Sequence, residues 1–541
     1  MKSEQASLVE NLKKYEKLGY LRGRSLYNEL EEVVKKYPEK TAIVDSEKRI
    51  NFKELKSSID AISKGFINLG ISKKDNVLVQ LPNKIEFIEI CFALFKLGAR
   101  PILTLPSHRE KELNAVSSLT EPKAYISQTE FLGFDYMNMS KEVVKNNRSI
   151  KNVIFIDKKV EKYVAGINVT TLKDLLNQGI QEEDLSLPRE IALFLLSGGT
   201  TGTPKVIPKI NEAYACNALL SAKRCGVSSD SVYMAVLSIA HDYPLSCPGV
   251  MGTLLSGGTV VLCQTASFDE AFEMIEKEKV TITGIVPAIA NIWTEILEWN
   301  DEYNFSSIKN ITIGAAKLEK DIAMKLIEKF NCKIQQGYGL GEGITCFTSL
   351  DDSDEIIFNT QGKPISLGDE IKIINEEGEE VAKGESGELI ERGPYTFQGY
   401  YKAPELNKRV FDKEGYLHTG DKARITKTGD IQILGRVKEQ INRAGENIIP
   451  SEVETFLREY KDIKDAAVLG LPDEELGERI CAFIISDRSD INREEICEFL
   501  YKLGVAQFKM PDEIKLVSEF PYTNIGKVDK KKLKSSALDK S

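Results

Sequence analysis

The sequence predicts an α/β fold with a large N-terminal domain of mixed and parallel sheets covered by helices, a β subdomain, and a small α+β C-terminal domain. Three observations carry this prediction. The chain has 541 residues, roughly twice the size at which a single hydrophobic core stops growing. Helix-like and strand-like hydrophobic patterns alternate through most of the chain, and beyond about residue 385 glycine-rich turns separate short strands.

In the N-terminal part, each helical pattern is followed by a strand pattern. Apolar residues recur at helical spacing over residues 55–69, and a short buried strand follows at 77–81. The alternation continues with helices at 85–97, 269–277 and 321–330, and with strands at 101–105, 280–286 and 332–336. Such alternation predicts βαβ units and mostly parallel sheet covered on both faces.

The C-terminal part begins with short strands and ends with a separate α+β unit. The stretches GESGELIERGPYTFQGYY and EGYLHTGDKARITKTGDIQILGR are typical of antiparallel β structure. Past Arg436 we expect helices at 451–457 and 494–503 and strands at 466–469 and 480–485. These suffice for a domain of about a hundred residues. We therefore predict an N-terminal domain at 1–436, a connecting segment at 437–440 and a C-terminal domain at 441–541.

Composition and charge argue against nucleic-acid and membrane partners. The 72 Lys and Arg residues are outnumbered by 82 Asp and Glu residues, which gives a net charge of −10, whereas proteins that coat phosphate backbones are usually basic. The N-terminus has no signal-peptide pattern, and no apolar run reaches bilayer-spanning length. The nine cysteines form no CxxC pair, so we expect reduced, mostly buried thiols in a cytoplasmic protein.

The most informative stretch is residues 191–205, IALFLLSGGTTGTPK, where an apolar run is followed by glycines, hydroxyl side chains and a lysine. Glycines let backbone amides approach an anion closely, and hydroxyls and an ammonium add donors. A flexible surface loop is the alternative. Pro204 and the lack of GK[ST] distinguish the stretch from a Walker A loop. The candidate phosphate-binding residues are Ser197, Gly198, Gly199, Thr200, Thr201, Gly202, Thr203 and Lys205.

Residues 197–205 resemble the phosphate-binding signature of the adenylate-forming superfamily, which includes acyl-CoA synthetases and peptide-synthetase adenylation domains. Four further stretches resemble that superfamily's motifs in order: YGLGE at 338–342, YLHTGD at 416–421, GRVKEQ at 435–440 and NIGKV at 524–528. Nearly the whole chain also resembles stand-alone aryl-acid ligases such as 2,3-dihydroxybenzoate-AMP ligases, through LPSHRE, AHDYPLSCPGV, NTQGKP, RGPYTFQGYYK and GRVKEQINRAGE.

The resemblance implies an activity, cofactors and partners. It implies ATP-dependent activation of an aryl or amino-bearing carboxylic acid as acyl-AMP with release of pyrophosphate, in the presence of Mg²⁺. The acyl group then passes to the phosphopantetheine thiol of a carrier protein. The alternatives are a salicylate or 2,3-dihydroxybenzoate ligase of siderophore synthesis, an acid–CoA ligase, a nucleotide-binding regulator without turnover, and, opposed by the missing GK[ST], a P-loop phosphotransferase.

The resemblance also implies roles for individual residues. Lys527 supplies charge to the two reacting anions, and Glu342 coordinates Mg²⁺. Asp421 accepts hydrogen bonds from the ribose hydroxyls, and Arg436 contacts the same ribose or forms a salt bridge. Lys438 lies at the hinge of a mobile C-terminal domain. Gly445 serves the thioester half-reaction. The segments that sandwich adenine contain Gly314, Ala315, Ala316, Gln336, Gly337, Tyr338 and Gly339.

The acid pocket departs from the pattern of dihydroxybenzoate ligases. Asp242 stands where those ligases usually have Asn, and an ionised Asp can only accept hydrogen bonds. An amino group on the acid is the simplest partner; the alternative is that Asp242 is protonated or bonded to a protein group while salicylate or dihydroxybenzoate binds. Cys247 predicts less polarity at the site of a second hydroxyl. The candidate acid-binding residues are His241, Asp242, Tyr243, Cys247, Gly314, Gly337, Gly341 and Thr345.

Four of these residues carry separate expectations. His241 resembles an aromatic gate that adjusts the substrate carboxylate, with a buried core role as the alternative; we count it with Lys527 and Glu342 as catalytic. Gly337 and Thr345 replace branched apolar residues and predict a larger pocket. Gly341 lacks the hydroxyl that many superfamily members have there, so one phosphate contact is missing.

Overall fold

The computed structural model describes residues 13–160, 163–197, 205–300, 302–316, 318–436, 440–521 and 528–538. The predicted alternation of helices and strands is present, and the predicted α/β class is confirmed. The helix predicted at 85–97 has those bounds as Ile85–Leu97. It ends there because Gly98 adopts a φ of 70°, a left-handed conformation that side chains disfavour.

A seven-stranded sheet forms the first layer of the N-terminal region. All its neighbouring strands are parallel except the antiparallel pair at one edge, Ile191–Ser197 and Lys205–Ile210. In spatial order the strands are Lys205–Ile210, Ile191–Ser197, Arg100–Thr104, Asn76–Gln80, Ala124–Ser127, Asn152–Phe155 and Asn168–Thr171. The helices in this part of the chain are Leu26–Lys36, Phe52–Asn68, Ile85–Leu97, Glu110–Thr120, Tyr136–Asn146, Leu172–Leu176 and Asn211–Arg224.

A nine-stranded sheet forms the second layer, and its six central strands are parallel. In spatial order the strands are Lys363–Pro364, Thr345–Phe347, Lys333–Gly339, Asn310–Ile313, Ile282–Ile285, Val232–Ala235, Thr259–Leu262, Thr41–Val44 and Arg49–Asn51. Its helices are Asp242–Ser246, Gly249–Leu255, Phe268–Glu278, Pro287–Ile296, Lys320–Phe330 and Asp354–Asn359. The carboxyl ends of parallel strands meet at one edge, where ligand sites of α/β proteins commonly lie.

The predicted β structure is an antiparallel four-stranded sheet of Glu370–Ile374, Ser386–Arg392, Leu417–Ile425 and Ile431–Arg436, with the helix Pro404–Val410. The ribbon Glu130–Phe131 and Phe134–Asp135 stands apart. The C-terminal sheet contains Glu446–Ile448, Ile441–Arg443, Gly477–Ile485, Asp465–Asp473 and Glu513–Leu516. Its helices are Pro450–Arg458, Arg493–Lys502 and Lys530–Leu538, with a 3₁₀ turn at Gln507–Lys509.

The C-terminal sheet has two differently covered faces. Along a strand, successive side chains point to opposite faces. On the strand Asp465–Asp473, Val468 packs in the core that contains the helix Pro450–Arg458, whereas Leu469 packs in the core that contains the helix Lys530–Leu538. The two helices therefore lie on opposite faces of the sheet.

The cysteines match the prediction of reduced thiols. All nine are free, eight are buried, and Cys497 is partly buried. Within the described ranges, no helix is long and apolar enough to cross a membrane.

Candidate active site

The carboxyl edge of the nine-stranded sheet brings the two predicted adenine segments side by side. The strand Asn310–Ile313 runs directly into residues 314–316. On the neighbouring strand Lys333–Gly339, Gln336 pairs in register with Ile313. Residues 314–316 and 336–339 are thus neighbours at one edge of the sheet.

Tyr243 connects this edge to the acid segment, which we define as residues 241–247. A Cβ atom at Gly314 would lie 3.3 Å from Cζ of Tyr243 and 3.5 Å from the carbonyl oxygen of Gly337. The hydroxyl groups of Tyr243 and Thr312 are 2.9 Å apart. The missing side chain at Gly314 therefore lets the acid segment lie directly against the adenine segments.

Gly337 does not enlarge the pocket, and that prediction is wrong. A Cβ atom at Gly337 would lie only 2.4 Å from Cε1 of Phe347. Phe347 pairs with Gly337 on the adjacent antiparallel strand, so its ring takes the space that the glycine leaves. Thr345 is buried, with its hydroxyl 3.8 Å from the sulfur of Cys247.

Asp242 begins the short helix Asp242–Ser246 and is half-buried. Its Oδ1 accepts hydrogen bonds from the Tyr214 hydroxyl at 2.7 Å and from the Ser246 hydroxyl at 2.9 Å. Burial, and then the charge of Asp242, raise the pKa of Tyr214 well above its ordinary value, so the phenol stays a proton donor. The described residues place no hydrogen-bond donor on Oδ2. Protein groups therefore satisfy one carboxylate oxygen.

The surroundings of Cys247 are more polar than predicted. Its sulfur lies 3.4 Å from the Ser246 hydroxyl and 3.6 Å from Nδ2 of Asn217. Oδ1 of Asn217 is buried without a hydrogen-bond partner among the described residues. Burial raises the pKa of the Cys247 thiol to about 11, so the sulfur is neutral near pH 7. A buried acceptor is thus available close to the thiol.

Ser197 and Lys205 lie opposite each other on paired strands. The predicted phosphate-binding residues 198–203 fall between them, outside the described residues. The hydroxyl groups of Ser197 and Tyr400 donate to Oε1 of Glu342 at 3.3 and 2.7 Å, and Nζ of Lys205 lies 5.1 Å from the centre of the Tyr400 ring. The predicted metal-binding carboxylate is therefore held beside both ends of the predicted phosphate loop.

Two buried ionisable side chains hold the loop that carries Glu342. The ammonium of Lys209 donates to the Gly341 carbonyl at 2.8 Å. From the other side, Glu391 accepts a hydrogen bond from the Ile344 amide at 3.3 Å. Burial raises the pKa of Glu391 to about 7. The backbone on both sides of Glu342 is thereby fixed.

Asp421 and Arg436 form the salt bridge that the sequence left as an alternative. Nε of Arg436 lies 2.9 Å from Oδ1 of Asp421, and the Tyr338 hydroxyl donates to Oδ2 at 2.6 Å. Burial raises the pKa of Asp421 in spite of the opposing charge of Arg436. The arrangement joins the four-stranded sheet to an adenine segment.

The C-terminal region reaches this site through the hairpin of Ile441–Arg443 and Glu446–Ile448, called the 441–448 hairpin below. The side-chain amide of Asn442 donates to the Ala315 carbonyl at 2.5 Å. At the turn, Gly445 has a φ of 90°, and a Cβ atom there would lie 3.1 Å from Cγ1 of Val286. Only a residue without a side chain fits this approach comfortably.

His241 is half-exposed and bonded to the same hairpin, which does not match a buried core role. Its Nε2 lies 3.0 Å from Oε1 of Glu446. Burial lowers the pKa of His241, but the Glu446 carboxylate outweighs burial and the net shift is upward. Burial acts to raise the pKa of Glu446, yet His241 lowers it overall.

The site contains residues that the sequence did not predict, and some predicted residues lie outside the described part of the chain. Lys438 and Lys527 lie outside the described residues. Tyr214 and Lys209 lie outside the sequence motifs that predicted the site. Tyr400 and Glu446 lie within the stretches RGPYTFQGYYK and GRVKEQINRAGE, but nothing in those stretches singles them out. In the described part of the chain, no cluster of three or more His, Cys, Asp or Glu side chains is arranged to hold a metal ion.

The fold, the contact between the predicted acid and adenine segments, and the position of Glu342 beside Ser197 together indicate a nucleotide-dependent enzyme. Residues 30–401 match the family model of the AMP-binding enzyme, and residues 452–527 match the AMP-binding enzyme C-terminal domain. The chain belongs to the AMP-binding enzyme family.

Relatives of known name cover nearly the whole chain. It is 39% identical over 530 residues to 2,3-dihydroxybenzoate-AMP ligase of Bacillus subtilis (strain 168), covering 97% of this chain and 96% of that protein. It is 36% identical over 522 residues to salicyl-AMP ligase / salicyl-S-ArCP synthetase of Mycobacterium tuberculosis (strain ATCC 25618 / H37Rv), covering 96% and 91%. The apo structure of Mycobacterium smegmatis MbtA superposes with a TM-score of 0.74 at 33% identity, covering 97% of each chain.

Proposed function

We propose that the protein activates an aryl or amino-bearing carboxylic acid with ATP and then transfers the acyl group to the phosphopantetheine thiol of a carrier protein. The observation that carries this proposal is the direct contact of the acid segment with the adenine segment through Tyr243 and Gly314. An acid bound against residues 241–247 lies next to a nucleotide bound against residues 314–316. This is the proximity that a reaction between the two requires.

In the first half-reaction, a carboxylate oxygen forms a bond to the α-phosphorus of ATP. The bond from that phosphorus to the bridging oxygen breaks, and pyrophosphate leaves with the electron pair. Two anions must approach each other, so donors fixed before reaction are needed. We assign this task to Ser197, residues 198–203, Lys205 and Lys527.

The residues present fit a magnesium ion. Mg²⁺ in nucleotide sites is usually held by one or two carboxylates together with substrate phosphates. Glu342 supplies one carboxylate beside the proposed phosphate loop, and the hydroxyls of Tyr400 and Ser197 fix one of its oxygens. When bound, the ion would offset the charge of the phosphates. Asp421 and Arg436 would hold the ribose.

In the second half-reaction, the thiol sulfur forms a bond to the acyl carbon. The bond from that carbon to AMP breaks, AMP leaves, and the thiol proton is released. We assign Gly445 to this step, because the turn of the 441–448 hairpin lies against Val286 and Ala315 without a side chain that would fill the approach. We further propose domains at 1–436 and 441–541, with a hinge at 437–440 that contains Lys438.

The acid we favour carries an amino group near its carboxylate. Oδ2 of Asp242 has no donor from the described residues, and a carboxylate pairs best with a charged or strongly polar N–H. One observation favours a second candidate, a salicylate or 2,3-dihydroxybenzoate ligase. Because Tyr214 and Ser246 already satisfy Oδ1, a single phenolic hydroxyl suffices for Oδ2.

We also propose that the enzyme is cytoplasmic, because all of its cysteines are free thiols and the proposed reaction uses ATP.

Pyrophosphate exchange tests the first half-reaction. The purified protein would be given ATP, Mg²⁺ and labelled pyrophosphate with salicylate, 2,3-dihydroxybenzoate, 2-aminobenzoate, 3-aminobenzoate and β-alanine in turn. We expect exchange with at least one acid. The fastest exchange should occur with one of the acids that carry an amino group, which are 2-aminobenzoate, 3-aminobenzoate and β-alanine. The absence of exchange with every acid would contradict acid activation and favour a regulator without turnover.

The acceptor is tested separately. Acyl transfer would be compared between a phosphopantetheinylated aryl carrier protein and coenzyme A at equal concentrations. We expect the carrier protein to have the higher kcat/KM. Faster transfer to coenzyme A would identify an acid–CoA ligase instead.

A further inference from the structure

The C-terminal region is tied to the N-terminal region by a buried cluster of charges. Lys509 places its ammonium 3.2 Å from Oε1 of Glu112 and 2.7 Å from Oε1 of Glu452. The side chains of Lys509, Glu112 and Glu452 are 8, 3 and 4% exposed. We call these three residues the interface triad.

The interface triad joins two parts of the molecule. Glu112 lies on the helix Glu110–Thr120 of the N-terminal region, whereas Lys509 and Glu452 belong to the C-terminal region. Oε1 of Glu112 also accepts a hydrogen bond from the Ala506 amide at 3.2 Å. Two donors of the C-terminal region therefore meet a single buried carboxylate oxygen.

Because the interface triad is buried, it is specific for one orientation of the C-terminal region relative to the N-terminal region. A buried charge is costly unless it is paired, and removing one member leaves the others uncompensated. If the C-terminal region turned away, the described residues would leave Glu112 with its local hydrogen bond from the Arg109 amide, at 3.0 Å, and Lys509 with its ion pair to Glu452. The interface triad thus favours the orientation described here over others.

This orientation is the one that places the 441–448 hairpin at the acid segment. Glu452 lies on the helix Pro450–Arg458, which begins two residues after the hairpin ends at Ile448. Fixing that helix against Glu112 therefore fixes the hairpin, whose Glu446 reaches His241. The helix Lys530–Leu538, which follows Lys527 in sequence, packs on the opposite face of the C-terminal sheet.

We propose that Glu112 and Lys509 are positioning residues for the transfer half-reaction. They act by holding the C-terminal region with the 441–448 hairpin over the acid segment, and acid activation by ATP does not depend on them. The inference rests on the proposed function, since it requires that the two half-reactions use different orientations of the C-terminal region.

The interface offers a matched control. Nζ of Lys111 lies 2.9 Å from Oε1 of Glu459 across the same boundary, but these side chains are 31 and 44% exposed. Exposed ion pairs contribute little, whereas buried ones are strongly affected by loss of a partner. Glu459→Gln therefore removes a charge pair at the same boundary without leaving a buried charge unpaired.

The test compares Glu112→Gln and Glu459→Gln with the unaltered protein in both half-reactions. Activation is measured by pyrophosphate exchange with whichever of salicylate, 2,3-dihydroxybenzoate or 2-aminobenzoate supports it best. Transfer is measured with a phosphopantetheinylated aryl carrier protein, with coenzyme A alongside. We expect Glu112→Gln to lower the transfer rate at least tenfold while exchange stays within twofold, and Glu459→Gln to change neither more than twofold.

A merely structural role gives a different result. Equal losses in both half-reactions, or transfer unchanged in Glu112→Gln, would overturn the inference. Should Glu112→Gln fold poorly, Glu112→Asp keeps the charge, withdraws it from Lys509 by one methylene, and is expected to give the same split. If the unaltered protein catalyses neither half-reaction, the proposed function fails; if it catalyses both and the variants show no split, only the positioning role fails.

Discussion

Nε2 of His241 lies 3.0 Å from Oε1 of Glu446, although the two residues are 205 positions apart and belong to opposite sides of the boundary between the N- and C-terminal regions. Their effects on each other's pKa have opposite signs. The pKa of His241 lies above its ordinary 6.5, and that of Glu446 lies below its ordinary 4.5.

These shifts predict a pH window for docking of the 441–448 hairpin. The contribution of His241 is complete below pH 6.5 and is lost as the pH rises through its raised pKa. The contribution of Glu446 is present above pH 4.5 and is lost as the pH falls through its lowered pKa. Hydrogen exchange of the hairpin amides, corrected for intrinsic rates, should show the strongest protection between pH 4.5 and 6.5. Glu446→Gln should remove this dependence; an unchanged profile would contradict the pair.

Asp242→Asn should shift the proposed substrate preference from acids that carry an amino group to acids that carry a hydroxyl group. Asn keeps an acceptor for Tyr214 and Ser246 but loses the charge that pairs with an amino group. A hydrogen bond to a charged group contributes about 1.5–3 kcal/mol, so the ratio of kcat/KM for 2-aminobenzoate over salicylate should fall about tenfold or more. Pyrophosphate exchange measures both values. A preference of the unaltered protein for 2,3-dihydroxybenzoate would reject the amine argument.

Glu342→Gln should raise the Mg²⁺ concentration needed for half-maximal exchange at least tenfold, because the amide loses the anionic oxygens that hold a hard cation. Tyr400→Phe removes only the hydroxyl that fixes one of those oxygens. Loss of such an outer partner typically lowers metal affinity about 10–100-fold, so Tyr400→Phe should also raise the Mg²⁺ concentration needed for half-maximal exchange. A magnesium titration of the exchange rate compares the two variants. Equal magnesium dependence of Glu342→Gln and the unaltered protein would place the ion elsewhere.

Glu391 should make the protein less stable as the pH rises from 5 to 8. The folded state holds its proton up to a pKa of about 7, whereas the ordinary value is 4.5, so the folded state binds more protons between these values. Glu391→Gln should remove a decline of about 2 kcal/mol in the free energy of unfolding over that range. Urea unfolding at both pH values measures it. Lys209 and Glu342 face Glu391, so Lys209→Met should steepen the decline.

Local patterns predicted the elements and the main segments of the site. The helix Ile85–Leu97 could be bounded from sequence because an apolar run ends at a glycine that adopts a left-handed conformation. The strand ends that converge near Gly314 follow from the alternation of helices and parallel strands. The predicted phosphate loop carries its signal in its own composition of glycines, hydroxyl side chains and a lysine.

Contacts between distant residues escaped prediction for a physical reason. Tyr214 reaches Asp242 from a helix 28 positions away, and Glu446 reaches His241 only because the C-terminal region docks. Neither contact leaves a local pattern. Gly337 illustrates the opposite error: a glycine in isolation suggests space, but Phe347 on the paired strand fills it.

The two faces of the C-terminal sheet have one more consequence. The helix that carries the hairpin toward His241 and the helix that follows Lys527 cover opposite sides of the same sheet. Under the proposed roles, a rotation of the C-terminal region exchanges the 441–448 hairpin for Lys527 at the site. The thiol then reacts with the acyl-AMP, a mixed anhydride, only after pyrophosphate has formed. ATP does not react while the thioester is forming. Under the proposed roles, the order of the two steps then follows from the orientation of one sheet and the helices on its two faces.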